Sequence, residues 1–262
     1  MEISGRTVLL TGATGGIGHA IARALHARGA QLIVTGRRTE VLEPLAAEIS
    51  ATAMAADLSS RADADRLLAD AGHADIVVHN AALPASGDLL EYSVEQIDRA
   101  LDVNLRAPVV LSRHFAEAMA ARGSGHIVFI SSLSGKSGQL GTSLYSATKF
   151  GLRGFSQGLR ADLAPRGVGV SCVFPGFISD AGMFANTGAK LPPGIGTKTP
   201  EQVAAAVVKA IERNRAEIDV APVPMKVMTT IGSVAPALGQ RVSGKAGRKL
   251  SEAVTNAQRE LR

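Results

Sequence analysis

The sequence predicts an α/β protein built on a doubly wound parallel sheet with helices on both faces. Short apolar runs alternate with amphipathic helical patterns along most of the chain, which is the rhythm of consecutive strand–helix–strand units. The first apolar run leads directly into a glycine-rich turn. Polar motifs follow several later runs, at the carboxyl ends of the predicted strands, where sheets of this kind bind their ligands.

Length and composition suit one main domain. The chain has 262 residues, of which 46% are apolar, and a mean hydropathy of +0.16. The polar start at Glu2, Ser4 and Arg6 indicates no signal peptide, and no apolar run reaches the roughly 18 residues of a transmembrane helix. The single cysteine, Cys172, lies in an apolar run, so we expect a buried thiol and a reducing compartment.

The first half of the chain contains four strand patterns and three helix patterns. Thr39 is the candidate N-cap of the second helix. The predicted strands are 7–10, 31–35, 51–56 and 76–79, and the predicted helices are 17–28, 39–49 and 60–72.

The second half continues the alternation with longer helices. Thr199, Pro200 and Glu201 combine a cap, a proline at the first position and an acid, which is a strong helix start. The predicted strands are 126–130, 168–174 and 217–221, and the predicted helices are 94–122, 147–163 and 199–213.

The glycine-rich turn Thr11–Gly18 lies between the first strand and the first helix. This order of elements places a pyrophosphate at a helix N-terminus. Glycines at 12, 16 and 18 would let backbone amides approach the phosphates closely. The alternative is a turn whose glycines serve only its geometry, but the flanking strand and amphipathic helix favour dinucleotide binding.

The residues after the second strand indicate which coenzyme would bind. A carboxylate at this point binds the ribose of NAD, whereas an arginine accommodates the 2′-phosphate of NADP. Gly36 stands where the acid would be, and Arg37 and Arg38 follow it. Two solvated arginines are the alternative, but the absence of an acid in the turn favours NADP(H) over NAD(H).

The stretch 131–149 contains the candidate chemistry. If the following helix already covers Tyr145, then Tyr145 and Lys149 lie on one helical face, about 5–6 Å apart between their Cβ atoms. A nearby ammonium eases the release of a proton from a phenol, and the Ser132 hydroxyl could reach the same point. An ordinary amphipathic surface contact is the alternative for such a pair.

The ordered set of motifs resembles the short-chain dehydrogenase/reductase (SDR) superfamily, in its compact single-domain branch with a Rossmann-like sheet. The resemblance covers residues 7 to about 180, some two-thirds of the chain. The matching features are Thr11-Gly-x-x-x-Gly-x-Gly18, Asp57-Leu58, Asn80-Ala81, Asn104, Ser132, Tyr145-x-x-x-Lys149 and Pro175-Gly176.

The resemblance implies a role for each residue of the catalytic set. Tyr145 would be the general acid in reduction or the base in oxidation. Lys149 would bind the nicotinamide ribose and lower the pKa of Tyr145. Ser132 would polarise the substrate oxygen, and Asn104 would hold a water that links Lys149 to solvent.

The resemblance also implies a coenzyme site along the carboxyl ends of the strands. Asp57 and Leu58 would lie at the adenine, and Asn80 would stabilise the central sheet. Asp180 stands where the family usually has a threonine that contacts the carboxamide. The predicted coenzyme-binding residues are Gly12, Thr14, Gly15, Gly16, Ile17, Gly18, Arg37, Arg38, Asp57, Leu58, Asn80, Ala81, Tyr145, Lys149, Pro175, Gly176 and Ile178.

The substrate pocket is predicted to be apolar. Leu83, Pro84, Leu133 and Leu140 would form one wall, and the insertion 177–191 would cover the substrate. Ordinary packing of loop residues is the alternative for any single one of them.

Residues 223–262 are predicted to be a basic C-terminal extension beyond a main domain at 1–222. They hold seven basic and two acidic side chains, which accounts for the whole net charge of +5. An apolar run at 223–238 precedes an amphipathic helix pattern at 241–262. Three interpretations remain open: a packing or dimer helix, peripheral contact with an anionic membrane surface, and docking of an acidic carrier or coenzyme.

The predicted function is an NADP(H)-dependent oxidoreductase that interconverts a carbonyl and a secondary alcohol on a largely apolar small molecule, with Tyr145 as general acid or base. The alternative is a non-catalytic NADP-binding sensor or regulatory protein on the same fold. An epimerase or dehydratase usually needs a longer substrate domain. We expect a cytoplasmic homodimer or homotetramer, with peripheral contact at the inner membrane surface through 223–262, and neither a metal site nor nucleic acid binding.

Overall fold

A computed structural model describes residues 1–180 and 196–237. Within these residues, seven parallel strands form one sheet in the order β3-β2-β1-β4-β5-β6-β7, so the predicted doubly wound fold is confirmed. The strands are β1 Thr7–Thr11, β2 Gln31–Gly36, β3 Thr52–Ala55, β4 Ile76–His79, β5 Gly125–Ile130, β6 Val168–Pro175 and β7 Glu217–Val220.

The helices cover both faces of the sheet. Their bounds are α1 Gly16–His26, α2 Thr39–Glu48, α3 Arg61–Ala71, α4 Val94–Leu101, α5 Ala107–Ala121, α6 Ser143–Leu163, α7 Pro200–Glu212 and α8 Val223–Val234. Helices α1, α2 and α7 bury apolar side chains against one face of the sheet. Helices α3, α5 and α6 bury theirs against the other, together with Phe129 and Phe174 from the strands. The apolar core therefore lies in two layers, one on each side of the sheet.

Two local predictions change in the structure. Thr39 begins α2 as its first residue, and Arg38 takes the N-cap position without a side-chain hydrogen bond, so the predicted Thr39 cap is wrong. The single helix predicted at 94–122 is interrupted by a π-helical turn at Asp102–Arg106, between α4 and α5. By contrast, Thr199 caps α7 and forms a capping box with Gln202, as the sequence indicates.

The strand order reverses between β1 and β4, which opens a crevice at their carboxyl ends. The glycine-rich turn after β1 and the Asn80-Ala81 turn after β4 border this crevice. Ser132, just after β5, lies at the same edge of the sheet. The sheet topology thus collects the predicted motifs at one edge.

The residues after β7 form helix α8, within the stretch that the sequence identifies only as an apolar run. No helix within 1–180 or 196–237 has the length and apolar character needed to cross a membrane. The helix pattern at 241–262 and most of the insertion 177–191 lie outside the described residues, and the division at residue 222 stays a prediction.

Candidate active site

The glycine-rich turn is held tightly against the end of β4. Gly12 has φ +66°, and a Cβ added to it would lie 2.6 Å from Ala81 Cα. The Asn80 amide donates to the carbonyl oxygens of Gly12 at 2.9 Å and Thr11 at 3.2 Å. The Thr11 hydroxyl accepts from the backbone amides of Asn80 and Ala81, both at 3.1 Å. Only a glycine fits position 12, and the contacts fix the floor of the crevice.

The N-terminus of α1 faces this crevice without a side-chain cap. Gly15 is its N-cap residue, and no side chain accepts a hydrogen bond from the first turn of the helix. Thr14, Gly15, Gly16 and Ile17 remain partly or fully exposed around this turn, whereas Gly18 is buried against Gly12. Free amides at a helix N-terminus suit a phosphate group, so the chain's own geometry fits the pyrophosphate of a dinucleotide.

The glycine-rich turn leaves no room for a side chain at Gly36, where NAD-binding proteins carry a carboxylate at the end of β2. A Cβ added to Gly36 would lie 2.7 Å from Thr14 Cγ2, so the glycine-rich turn itself occupies the space of a side chain at this position. Arg38 Nη2 donates to the Thr14 carbonyl oxygen at 2.5 Å and binds the end of β2 to the same turn. Arg37 is exposed beside it.

Arg99, which the sequence reading missed, lies close to Arg37. Both arginines line a cavity of about 330 Å³ together with Leu83, Pro84, Tyr92, Glu95, Gln96 and Ala100. Within 1–180 and 196–237, neither guanidinium forms an ion pair or a hydrogen bond. In the sequence, Arg99 looks like any solvated basic side chain. Its place at the cavity is evident only from the packing of α4.

Asp57 and Leu58 follow β3 on the same side of the crevice. The Asp57 carboxylate accepts hydrogen bonds from the Ser59 amide at 3.0 Å and the Ser59 hydroxyl at 2.8 Å. Burial alone would raise the pKa of Asp57, but these bonds and the nearby Arg37 and Arg99 hold it below its ordinary value. The Asp57 carboxylate is therefore ionised, and the guanidinium groups of Arg37 and Arg99 lie near it.

The candidate catalytic side chains meet where β5 ends and α6 begins. Because α6 starts at Ser143, Tyr145 and Lys149 both lie in its first two turns. The Ser132 hydroxyl accepts from the Ser134 amide at 3.1 Å and lies close enough to the Tyr145 phenol to oppose part of the shift in its pKa. Lys149 Nζ donates to the Ile130 carbonyl oxygen at 3.0 Å and lies 5.6 Å from the centroid of the Tyr145 ring.

Burial dominates the protonation of this cluster. It raises the pKa of Tyr145 to about 12, against the smaller opposite effect of the hydrogen bond from Ser132. It also lowers the pKa of Lys149, which is 2% exposed, to about 8. The pKa of Tyr145 is therefore raised, opposite in direction to the lowering that the resemblance implies. The Lys149 ammonium bonds to a carbonyl oxygen beside the ring and does not contact the phenol oxygen.

Asn104 is fully buried in the π-helical turn. Its Oδ1 accepts from the Leu83 amide at 2.7 Å, and its Nδ2 donates to the Leu83 carbonyl oxygen at 3.0 Å. The side chain therefore fixes the backbone beside the Asn80-Ala81 turn. A π-turn at this point is consistent with a functional site, since such turns recur there.

The remaining predicted residues occupy the rim of the crevice. Pro175 ends β6. Ile178, just beyond this strand, is buried and forms an isolated β-bridge with Lys198. A Cβ added to Gly176 would lie 2.7 Å from Met225 Sδ of α8 and 3.3 Å from Leu133 Cδ1. The four residues predicted to form one wall of the pocket do not lie in one surface. Leu83 and Pro84 line the cavity, Leu133 is buried, and Leu140 is 57% exposed.

Comparisons with known proteins agree with this arrangement. The family model "short chain dehydrogenase" matches residues 6–192. Ketoacyl reductase HetN from Nostoc sp. is 35% identical over 254 residues, covering 92% of this chain and 88% of that protein. The 3-oxoacyl-acyl-carrier-protein reductase FabG from Rickettsia conorii is 36% identical over 180 residues, covering 68% of this chain and 75% of that protein. The solved short-chain dehydrogenase from Sphingobium yanoikuyae, in complex with NADPH, has a TM-score of 0.77 and 27% identity over 89% of this chain and 95% of that one.

The fold and the comparisons together define an NAD(P)-dependent oxidoreductase. The chain belongs to the short chain dehydrogenase family, and the resemblance expected from its motifs is confirmed.

Proposed function

We propose that this protein is an NADPH-dependent reductase of a carbonyl group on a largely apolar small molecule. The observation that carries the proposal is the cluster of buried Lys149 with partly buried Ser132 and Tyr145, placed at the same sheet edge as the glycine-rich turn. A bound nicotinamide coenzyme would supply the hydride. The chain's own residues would bind the carbonyl oxygen and give it a proton.

Ser132 and Tyr145 are both suited to the carbonyl oxygen. The Ser132 oxygen already accepts from the Ser134 amide, so its own hydrogen is free to point toward the phenol or toward a substrate oxygen. With a pKa raised to about 12, the Tyr145 phenol keeps its proton at neutral pH. Two hydrogen-bond donors therefore converge where negative charge develops during reduction. This protonation state favours reduction over oxidation, which needs the phenolate as a base.

Lys149 would stabilise the phenolate that Tyr145 leaves behind. Its pKa is lowered to about 8, so the ammonium is still charged at pH 7. It lies beside the phenol ring in a site with little water, where a charge interacts more strongly than in solvent. Proton donation by Tyr145 is thus coupled to the charge on Lys149.

The preference for NADPH rests on Arg37, Arg38 and Arg99. Arg38 is engaged by the Thr14 carbonyl oxygen, whereas Arg37 and Arg99 line the cavity without a hydrogen bond or ion pair to any residue that the structure describes. Planar guanidinium groups bind phosphate well, and Thr14 excludes a carboxylate at position 36 that would repel it. We infer that Arg37 and Arg99 would both hold the 2′-phosphate of a bound coenzyme.

The substrate class rests on the names of the relatives, since the cavity beside Leu83 and Pro84 also carries Arg37, Glu95 and Arg99. Leu83 and Pro84 line the cavity beside the crevice, and Leu133 packs below Gly176. Relatives bearing the names ketoacyl reductase and 3-oxoacyl-acyl-carrier-protein reductase support a 3-oxoacyl compound, which carries a carbonyl on an apolar chain. We propose that class as the first substrates to assay.

A turnover assay tests the proposal directly. Purified protein is mixed with NADPH and a panel of 3-oxoacyl thioesters and apolar ketones, and oxidation is followed by the loss of absorbance of the reduced nicotinamide. We expect turnover with at least one carbonyl substrate and its loss in Tyr145→Phe. NADPH binding without turnover across the panel would instead support the sensor function.

A further inference from the structure

Helix α8 presents an apolar stripe to solvent. Val223, Val227, Ile231 and Val234 recur at helical spacing and are 71%, 52%, 37% and 82% exposed, and Met228 beside them is 37% exposed. Exposed apolar residues scattered singly are ordinary, but five on one 12-residue helix form a continuous surface. A surface of this kind indicates a partner.

The opposite side of α8 is packed against the candidate active site. Met225 fills the space beside Gly176, so a Cβ there would meet its sulfur at 2.7 Å. Gly232 is buried against Ser137, which lies in the loop between Ser132 and Tyr145. The stripe therefore borders the edge of the sheet at which the substrate would enter.

The sequence of α8 and of the residues that follow it is mainly basic. Helix α8 contains Lys226 and no acidic residue. The 25 residues that follow Ala237 add six basic and two acidic side chains, and residues 223–262 together carry the entire net charge of the chain. An apolar face joined to a basic segment is complementary to an anionic lipid surface, where each basic side chain contributes about 1 kcal/mol.

We propose that α8 lies on an anionic phospholipid surface, with its exposed stripe among the upper acyl chains and Lys226 at the headgroups. The occupant is the lipid surface itself and not a second copy of the chain. A contact between two copies would bring two segments of equal positive charge together, whereas anionic lipid neutralises both.

A second exposed apolar group serves as an internal comparison. Leu89, Leu90 and Val94 precede and begin α4 and are 46%, 92% and 67% exposed. Four acidic side chains are interleaved with them or follow closely: Asp88, Glu91, Glu95 and Asp98. Exposed apolar residues among carboxylates are repelled by anionic lipid, so the proposal assigns no lipid contact to this group.

One consequence rests on the proposed function. If the substrate is apolar, a lipid-bound α8 places the entrance of the active site at the membrane, so that the substrate passes from the bilayer into the site without crossing water. Lipid binding itself does not depend on catalysis, and the two can therefore fail separately.

Vesicle co-sedimentation of the full chain tests the proposal. Phosphatidylcholine vesicles with and without phosphatidylglycerol are mixed with wild type, with the double variant V227Q/V234Q and with V94Q. Glutamine removes apolar surface without changing charge and is a better helix former than valine, so α8 should persist. We expect binding only to the vesicles containing phosphatidylglycerol, a decrease of about tenfold or more in the double variant, and wild-type binding in V94Q.

A second variant and two controls complete the design. K226E should bind the anionic vesicles less tightly than wild type, because its carboxylate is repelled by the lipid. This difference from wild type should grow as the salt concentration falls. NADPH oxidation with a water-soluble ketone, measured without vesicles, should be the same in all variants, which separates lipid binding from the proposed function.

Three outcomes would overturn the proposal. They are no wild-type binding to the anionic vesicles, equal losses in V94Q and V227Q/V234Q, or a shift of V227Q/V234Q from dimer to monomer in light scattering with vesicle binding unchanged. The last outcome would assign the stripe to a contact between copies of the chain.

Discussion

Tyr145 of α6 keeps its proton because its surroundings raise the pKa of the phenol, and this hydroxyl can be removed without removing the ring. Tyr145→Phe keeps the packing of the ring but deletes the hydroxyl near Ser132. We expect kcat to fall by about 10²–10⁴-fold, the usual value of a positioned proton donor, while NADPH binding is retained. Stopped-flow turnover and fluorescence titration of NADPH measure the two quantities. A variant that keeps most of its rate would show that another group gives the proton.

Lys149 predicts how the reduction depends on pH. Burial lowers its pKa to about 8, so the ammonium that stabilises the phenolate is present below that pH and lost above it. The Tyr145 phenol, with a pKa near 12, stays protonated throughout this range. We expect kcat/KM for NADPH in the reduction to be level below about pH 8 and to fall above it, since this parameter reports the free enzyme. A profile that is flat to pH 10 would contradict the assignment.

Arg37 and Arg99 predict a selective effect on the two coenzymes. Each faces the cavity without an ion-pair partner in the described part of the chain, so each can bind the 2′-phosphate that NADPH has and NADH lacks. Arg37→Ala should raise the Kd for NADPH by about 10–100-fold, the value of a charge-assisted hydrogen bond, and leave that for NADH nearly unchanged. Arg99→Ala should act in the same direction, with exposed Arg213→Ala as the control. If Arg37→Ala raised the Kd values for NADPH and NADH equally, Arg37 would not recognise the 2′-phosphate.

At the scale of elements, the loop between β5 and α6 is anchored to the last strand. Lys136 Nζ binds Asp219 Oδ1 at 2.6 Å and Glu217 Oε2 at 2.9 Å, and lies 4.1 Å from the centroid of the Phe174 ring. Arg153 of α6 binds the same Glu217. This network joins the loop that carries Ser132, the helix that carries Tyr145 and strand β7.

Breaking the network should destabilise the protein. Lys136→Met leaves Asp219 without its cation and Glu217 with Arg153 alone, so we expect the free energy of unfolding to fall by about 1–3 kcal/mol. Adding Asp219→Asn should recover part of the loss, because it removes one unpaired charge. Urea unfolding measures both, with exposed Lys209→Met on α7 as the control. No difference between Lys136→Met and the control would show that the network is solvated and weak.

The elements also show where sequence reasoning succeeds and where it stops. Alternating apolar runs and caps predict the strands and most helices, because these signals are local. The start of α6 at Ser143 is not local: Thr142 provides no side-chain cap, and the Tyr145 amide instead donates to the Ala85 carbonyl oxygen at 3.1 Å. The π-turn around Asn104 likewise depends on the contact of its side chain with Leu83. Tertiary contacts decide both features, and one sequence does not reveal them.

The candidate site shows the same division. Residues whose types carry chemistry, such as Tyr145, Lys149 and Arg37, are found from their pattern. The proximity of Arg99 and the direction of the Tyr145 pKa shift are not, because both depend on which groups are buried together. The exposure of α8 is also a property of packing, since the same apolar run could equally have been core.

At the scale of the whole molecule, two buried histidines predict the response to acid. His79 bonds to Ser112 and stacks on Phe129, and His126 bonds to Ser171. Burial lowers the pKa of each to about 3, whereas an unfolded histidine has its pKa near 6.5. The stability that comes from keeping them neutral is fully present above pH 6.5 and is lost as the pH falls toward 3.

We therefore expect the free energy of unfolding to decrease by up to about 1 kcal/mol per pH unit for each buried histidine below pH 6.5. His79→Asn should reduce this slope, and His26→Asn, at an exposed position on α1, should not. Urea unfolding between pH 7 and pH 4.5 tests the difference. Equal slopes in both variants would mean that carboxylates and not His79 control the loss.

Thr14 and Gly36 have an evolutionary consequence. With Cγ2 of Thr14 only 2.7 Å from where a Cβ at position 36 would sit, a mutation that introduces an acid there meets a steric barrier before it can bring any benefit. A lineage that drifts toward the other nicotinamide coenzyme must first make room at position 14, a change that by itself gains nothing. Two ordered steps separate the preferences, and selection for the new coenzyme can act only on the second.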